Sequence, residues 1–159
     1  MNRRTLLATL ALVPAAALAQ LHEAAGPQPE LPKEALTIVT QDHRRHDFQV
    51  EIARAPQQQM IGEMFRKEVP ADGGMLFVWP APQLSPMWMK NTLVPLDMLF
   101  INANGTIRHI AEDTVPRSQR LIESGGPVAA TLELRGGTAA RLGITVGDKV
   151  LGAMFHDLG

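Results

Sequence analysis

The sequence has no cysteine in its 159 residues, and this absence excludes several kinds of site at once. Without thiols the chain can form no disulfide, no thiolate metal site, no thiol nucleophile and no lipoprotein anchor. An oxidising compartment permits disulfides without requiring them. A chain without covalent cross-links must be held together by its hydrophobic core.

Positive charge is not in excess either. The chain has 15 lysines and arginines against 16 aspartates and glutamates. Without Arg3 and Arg4, at the N-terminus, 13 basic residues remain against 16 acidic ones, a net charge of −3. Nucleic-acid-binding domains carry a basic face, so we expect no nucleic-acid partner.

Catalytic signatures and long apolar runs are missing as well. There is no P-loop and no dinucleotide-binding fingerprint, and Ser85, Ser118 and Ser124 lack the context of a nucleophile elbow. After the first 20 residues no segment has the ~20 apolar residues that a membrane-spanning helix needs. We therefore expect no cofactor, no resident metal and no membrane span in the mature protein.

The N-terminus has the three parts of a secretory signal peptide. Arg3 and Arg4 precede an apolar stretch at residues 6–13, and a small-x-small end closes at Ala19. A membrane anchor is the alternative, but Pro14 interrupts the apolar run and the run is short. "NRRTLL" fits either general or twin-arginine export. We expect residues 1–19 to be removed and the protein to be periplasmic or secreted.

Residues 20–35 predict a flexible tether rich in proline and alanine, and residues 36–159 predict one domain. "LTIVT", "DFQVEIA", "GMLFVW" and "PVAATLELR" have the pattern of strands. "LDMLFINANGTIRHIAE" predicts a hairpin turning at Asn104-Gly105. Two short helices are predicted at "APQQQMIGEM" and "TAARLG". The fold class is therefore mainly β (α+β), a small antiparallel barrel or sandwich with one or two short helices.

One stretch, residues 85–97, is unusual for a strand because "SPMWMKNTLVPLD" puts charged and polar residues into an apolar run. Alternation places Trp88 and Lys90 on one face and Asn91 on the other. If Trp88 faces inward, Lys90 does too, and a buried ammonium needs an anionic partner. Asp97 and Glu133 are the two candidates.

Each of these residues has a structural explanation beside the functional one. Trp88 is either a core residue or the apolar wall of a pocket. Lys90 and its acidic partner form either a binding site or an ion pair that fixes the loop at residues 91–95. Asn91 and Thr92 also suit ordinary turn chemistry. The sequence leaves these alternatives open.

Three segments resemble the bacterial and archaeal domain-of-unknown-function family 192 (DUF192). They are "MIGEMFRKEVPADGGMLFVW", "MWMKNTLVPLDMLFINANGTI" and "LELRGGTAARLGITVGDKV", in that order. The family's central motif, W-M-K-N-T-x-x-P-L-D, falls on residues 88–97. Its G-(L/M)-(M/L)-(F/Y)-R element falls on residues 62–66, with Glu63 where an apolar residue is commoner. The resemblance implies a small β-rich domain, often exported, and carries over no activity.

These observations predict a binding module for a small ligand, either an anionic metabolite or a glycan, with the enzyme question left open and non-enzymatic action preferred. The candidate binding residues are Arg66, Trp88, Lys90, Asn91, Asp97 and Glu133. The expected partner is a small molecule or an envelope component, and the oligomeric state is undetermined.

Three alternatives use the same residues differently. An envelope glycan hydrolase would use them as acid and base. A structural or protein-interaction domain would use them only to hold the fold. A copper binder would use the methionines around Met87 and Met89 as thioether ligands, although core packing accounts for methionines in apolar elements.

Overall fold

A computed structural model describes residues 25–155. The predicted signal peptide and most of the predicted tether lie outside these residues. Within these residues, seven strands, two α-helices and one 3₁₀ turn follow one another. They are β1 (Lys33–Val39), β2 (Arg45–Ala53), α1 (Pro56–Ile61), β3 (Gly73–Gln83), β4 (Leu96–Ile101), β5 (Ile107–Ala111), β6 (Val128–Arg135), α2 (Thr138–Leu142), β7 (Lys149–Leu151) and the 3₁₀ turn Ala153–Phe155. No helix in this part of the chain has the length and apolarity to cross a bilayer.

The strands form one sheet in the order β5-β4-β6-β3-β2-β1-β7. All neighbouring pairs are antiparallel except β2 and β3, which are parallel. A parallel pair needs a crossover connection, and here the chain between β2 and β3 contains α1. The sequence predicts both strands and the helix but not this parallel pairing.

The two ends of the sheet meet, because the sheet curls. Thr106, just before β5, pairs with Lys149 of β7 in an isolated antiparallel bridge. Nearby, Val150 N–H donates to the Gly105 carbonyl at 2.8 Å, and Ile107 N–H donates to the Asp148 carbonyl at 2.9 Å. The result is a curled half-barrel in a single domain with two short helices, which confirms the predicted fold class.

Each face of the sheet has its own core. The inner face buries aliphatic residues such as Val50, Leu76 and Leu132. The outer face buries Met75 and Phe77 with their neighbours, and residues from outside the strands pack on it: Val69, Met87 and Met89. On β3, β4, β6 and the end of β2, most side chains that alternate away from the inner core are therefore covered by a second layer instead of facing water.

The hairpin between β4 and β5 turns where the sequence predicts, although its geometry differs. Gly105 has a left-handed φ of 81°, but Asn104 is not left-handed. Asn102 N–H donates to the Thr106 carbonyl and Gly105 N–H to the Asn102 carbonyl, both at 2.9 Å. The loop is therefore wider than a two-residue turn, and glycine is needed because a Cβ at position 105 would lie 2.5 Å from the Val150 carbonyl oxygen.

The helix α1 is shorter than "APQQQMIGEM" suggests. It ends at Ile61, before Gly62 with its φ of 50°. Met60, in the last turn of this helix, is 56% exposed. Met64 is buried, but it reaches the core from the turn after the helix.

The end of the predicted tether packs against the domain. The Gln28 side-chain amide donates to the carbonyls of Gln58 at 3.1 Å and Gly62 at 3.0 Å. Leu31 N–H donates to Glu51 Oε2 at 2.7 Å. Since β1 begins at Lys33, ordered structure starts before residue 36.

Candidate functional site

Residues 85–97, called the central stretch below, run along the outer face of the sheet, antiparallel to residues 118–122, and lead into β4. Met87 N–H donates to the Ile122 carbonyl and Met89 N–H to the Ser118 carbonyl, both at 2.9 Å. Both methionine side chains are buried. The alternation predicted for this stretch therefore holds, but the inward face belongs to the methionines.

Trp88 and Lys90 share the opposite face. Trp88 is 42% exposed, so it is not a core residue. The Lys90 ammonium lies 5.4 Å from the centroid of the Trp88 ring, within the range of a cation–π interaction. Lys90 is half-buried. The pair forms the partly exposed face of this stretch.

Asp97 is fully buried, and its carboxylate is used by the backbone. Oδ1 accepts hydrogen bonds from Asp113 N–H at 2.8 Å and Gly137 N–H at 3.0 Å, and Oδ2 accepts one from Ala139 N–H at 2.7 Å. These donors come from the end of the hairpin and the start of α2. Asp97 therefore fixes two distant loops to the beginning of β4.

Asn91 and Thr92 form a turn, which is the structural rather than the functional role that the sequence left open for them. Asn91 has a left-handed φ of 57°, which asparagine tolerates better than most residues. Its carbonyl accepts Phe65 N–H at 2.8 Å, and Thr92 N–H donates to the Met89 carbonyl at 3.0 Å. Asn91 thus fastens the central stretch to the loop after α1.

Two glutamates lie in one row across the outer face of the sheet. In the strand register, Glu51 of β2 is the partner of Met75, and Met75 is the partner of Glu133 of β6. Both glutamates are buried at 4% exposure. Because the second layer covers this face, the row places two acidic groups in an apolar interior.

Arg66 enters this interior from the loop after α1. Its guanidinium donates two hydrogen bonds to the Glu51 carboxylate, from Nη2 to Oε2 at 2.8 Å and from Nη1 to Oε1. Arg66 Nε also lies 3.2 Å from Glu63 Oε2. That glutamate oxygen is nevertheless buried with no hydrogen-bond partner among the described residues. Glu63 is therefore attracted by Arg66 without being satisfied by it.

A cavity of about 300 Å³ opens between α1, the central stretch and the sheet. Glu63 and Glu133 both line it. The Trp79 side chain also lines it, and its Nε1 is a second buried polar atom with no partner in the described part of the chain. The remaining walls are mostly apolar and include Met60, Met64, Phe77, Met87 and Trp88.

Burial controls the protonation of these acids. Burial raises the pKa of Glu63 to about 7; the Arg66 charge opposes this shift and the Glu51 charge adds to it. Burial, and then the Glu63 charge, raise the pKa of Glu133 well above its usual value. Burial works in the same direction on Glu51, but the Arg66 hydrogen bonds and Leu31 N–H outweigh it and lower the Glu51 pKa. Glu51 is therefore the charged partner of Arg66, while the two cavity acids retain protons more readily.

Metal ligands are not concentrated at this site. Between residues 25 and 155 no three His, Asp or Glu side chains are grouped as they would be to hold a metal ion. Met75, Met87, Met89 and Met98 belong to the apolar core of the outer face. Packing therefore accounts for the methionines that suggested copper.

The structure brings three of the predicted residues to the cavity or its immediate surroundings: Arg66, Trp88 and Glu133. Lys90 supports Trp88, while Asn91 and Asp97 hold loops. Sequence reasoning missed Glu51, because alternation in β2 placed it on a face that seemed to meet water. It noted Glu63 only as a departure from an apolar position, which was the available signal.

Comparison with known proteins gives the family but no activity. The DUF192 family model, described as "Uncharacterized ACR", matches residues 37–152. No curated protein matches the chain.

Two crystal structures of bacterial proteins are similar throughout the domain. One, from Sinorhizobium meliloti 1021 and provisionally described as a transcription regulator, is 46% identical with a TM-score of 0.78, covering 80% of this chain and 98% of that one. The other, a protein of unknown function from Novosphingobium aromaticivorans DSM 12444, is 37% identical with a TM-score of 0.74, covering 82% of this chain and 94% of that one. The chain therefore belongs to the DUF192 family of uncharacterised proteins.

Proposed function

We propose that this protein is an exported binding module for a small sugar-like ligand, held in the cavity between Glu63 and Glu133. The observation that carries the proposal is that two residues lining one cavity each have a buried polar atom with no hydrogen-bond partner among the described residues, Glu63 Oε2 and Trp79 Nε1. Buried polar atoms are nearly always hydrogen-bonded. Unpaired ones lining a cavity therefore support a role in binding a ligand.

The two atoms need opposite partners. Trp79 N–H requires an acceptor and the ionised Glu63 carboxylate requires a donor, whereas a protonated Glu63 can itself donate. A hydroxyl group donates and accepts at once, so a molecule with several hydroxyls meets both needs. An anionic metabolite fits poorly, because its charge would lie beside two carboxyl groups.

The apolar walls suit the flat face of a sugar ring. Trp88 is exposed at the edge of the cavity and Phe77 lies within it. The Lys90 ammonium over the Trp88 ring restrains the orientation of the indole. Lys90 is thus a positioning residue in this proposal. The cavity volume of about 300 Å³ is at the small end of ligand pockets, which suits one ring rather than a long chain.

Arg66, Asn91 and Asp97 act behind this surface. Arg66 keeps Glu51 ionised and draws Glu63 toward it. Through its carbonyl, Asn91 holds the loop after α1, which carries Glu63 and Arg66. Asp97 fixes the sheet end from which the central stretch departs.

Calorimetric titration of the purified protein with monosaccharides and short envelope-glycan fragments tests the proposal. Trp79→Phe keeps the aromatic wall and removes the N–H donor, so it should weaken binding at least tenfold. Glu133→Gln should also weaken it. Glu123→Gln, the same change at an exposed position, is the matched control. Undiminished binding in both cavity variants would disprove the assignment of the site.

A glycan hydrolase is the second candidate, because one observation favours it. The Glu63 pKa of about 7 is that of a general acid that still holds its proton near neutral pH. Glu133 would be the second carboxyl group of such a pair. Release of the aryl group from chromogenic glycosides measures this activity, and Glu63→Gln should abolish it. Turnover by that variant would assign the hydrolysis elsewhere.

DNA binding has weaker support in this chain. The S. meliloti relative is provisionally described as a transcription regulator, but this sequence has 15 basic residues against 16 acidic ones. Affinity for the DNA backbone depends on an excess of positive charge.

A further inference from the structure

We infer that the ligand is an amino sugar, whose free ammonium group lies between Glu63 and Glu133 while its hydroxyls meet the rest of the cavity. This inference rests on the proposed function and names the class of sugar. It is carried by the residues that line the cavity: two glutamates with buried carboxyl groups, a tryptophan whose buried N–H has no partner in the described part of the chain, and further aromatic side chains.

The charges around the cavity leave room for a cation. Glu51, Glu63 and Glu133 face this interior from β2, the loop after α1 and β6. Arg66 gives two of its N–H groups to Glu51, and its Nε lies 3.2 Å from Glu63 Oε2, which has no hydrogen-bond partner among the described residues. Lys33 acts electrostatically on Glu51 from the edge of the cluster. An ammonium group brings three donors to the two acids that remain.

A simple cation does not satisfy the whole site. Trp79 Nε1 needs an acceptor, and an ammonium group has none to offer. A hexose with one amino group supplies both the positive charge and hydroxyl oxygens. An amino sugar therefore matches the unsatisfied groups better than either a plain amine or a neutral sugar.

Binding of such a ligand should be linked to proton release. Without a bound ligand, burial favours the protonated acids, and the pKa of Glu63 is raised to about 7. An ammonium group beside Glu63 stabilises the ionised form and expels the proton. A neutral sugar has no charge with which to do so. Between pH 5 and pH 7, where the amine stays protonated, affinity should therefore rise up to about tenfold per pH unit.

The experiment compares glucosamine, glucose and N-acetylglucosamine by calorimetry in two buffers with different ionisation enthalpies. Glucosamine should bind at least tenfold more tightly than either neutral sugar at pH 6.5, with about one proton released into the buffer. Glu63→Gln should reduce that release and remove most of the preference. Glu123→Gln should change neither, and thermal unfolding confirms that both variants are folded.

The outcomes separate this inference from the proposed function. If glucose or N-acetylglucosamine binds as tightly as glucosamine, without proton release, the site is a sugar site and the ammonium inference is wrong. If none of the three sugars binds the parent protein, both the inference and the proposed function fail. These comparisons use the parent protein, so they hold even if a variant does not fold.

Discussion

The buried carboxyl group of Glu63 should make the stability of this protein depend on pH in an unusual direction. Its pKa is raised from 4.5 to about 7 in the folded state. A group with a raised folded pKa stabilises the fold below its unfolded pKa, and this contribution is lost as pH rises through the folded value. A shift of this size corresponds to about 3 kcal/mol.

Glu63→Gln removes the titration and keeps the shape of the side chain. The free energy of unfolding, measured by urea denaturation at pH 4, 6 and 8, should therefore fall more steeply with pH in the parent than in the variant. The difference between them should change by about 3 kcal/mol between pH 4 and pH 8, in favour of the variant at pH 8.

The control is Glu123→Gln, the same substitution at an exposed position. Its unfolding free energy should follow that of the parent at each pH within about 0.5 kcal/mol. If the difference between Glu63→Gln and the parent is constant from pH 4 to pH 8, Glu63 ionises in the folded protein as freely as in the unfolded chain. The reasoning about the cavity would then be refuted.

Three further substitutions test other parts of the structure. Asp97→Asn keeps an acceptor for two backbone amides but turns an NH₂ group toward a third. Chemical denaturation should therefore show that the free energy of unfolding falls by about 2–3 kcal/mol. A midpoint equal to that of the parent would contradict the assigned hydrogen bonds. Gly74→Ala places a Cβ 2.2 Å from the Glu133 carbonyl oxygen at a φ of 153°, so it should lower the melting temperature far more than Gly125→Ala, which also has a positive φ, 69°, but has no described heavy atom within 4 Å of the added Cβ. Lys90→Met loses the cation–π contact with the partly exposed Trp88 ring, so thermal unfolding should show a loss of at least about 0.5 kcal/mol, whereas a parent-like melting temperature would mean that this contact does not stabilise the fold.

The local pattern of the sequence was sufficient for the individual strands. Alternation in "DFQVEIA" located β2, and Asn104-Gly105 located the hairpin, since these signals depend on neighbouring residues. The parallel pairing of β2 with β3 was not accessible, because it depends on where the chain returns after α1. The local pattern of apolar residues therefore predicts individual strands more readily than it predicts which strands pair.

The candidate site was predicted in part for the same reason. Glu133 was found because it interrupts an apolar strand that is buried on both faces. Glu51 has the same position in the row but sits in a strand that alternates, so it looked solvated. The amides that bind Asp97 lie 16 to 42 residues away, and no local signal connects them.

The contacts of Gln28 and Leu31 affect how the domain can be handled in isolation. A recombinant fragment that starts at residue 36 would lack the first three residues of β1 and the amide that caps Glu51. It would also lack the side chain that bonds the carbonyls of Gln58 and Gly62, both of them beside the cavity wall. A fragment that starts at residue 25 keeps all of these, so its leading segment stays hydrogen-bonded to the residues beside the cavity.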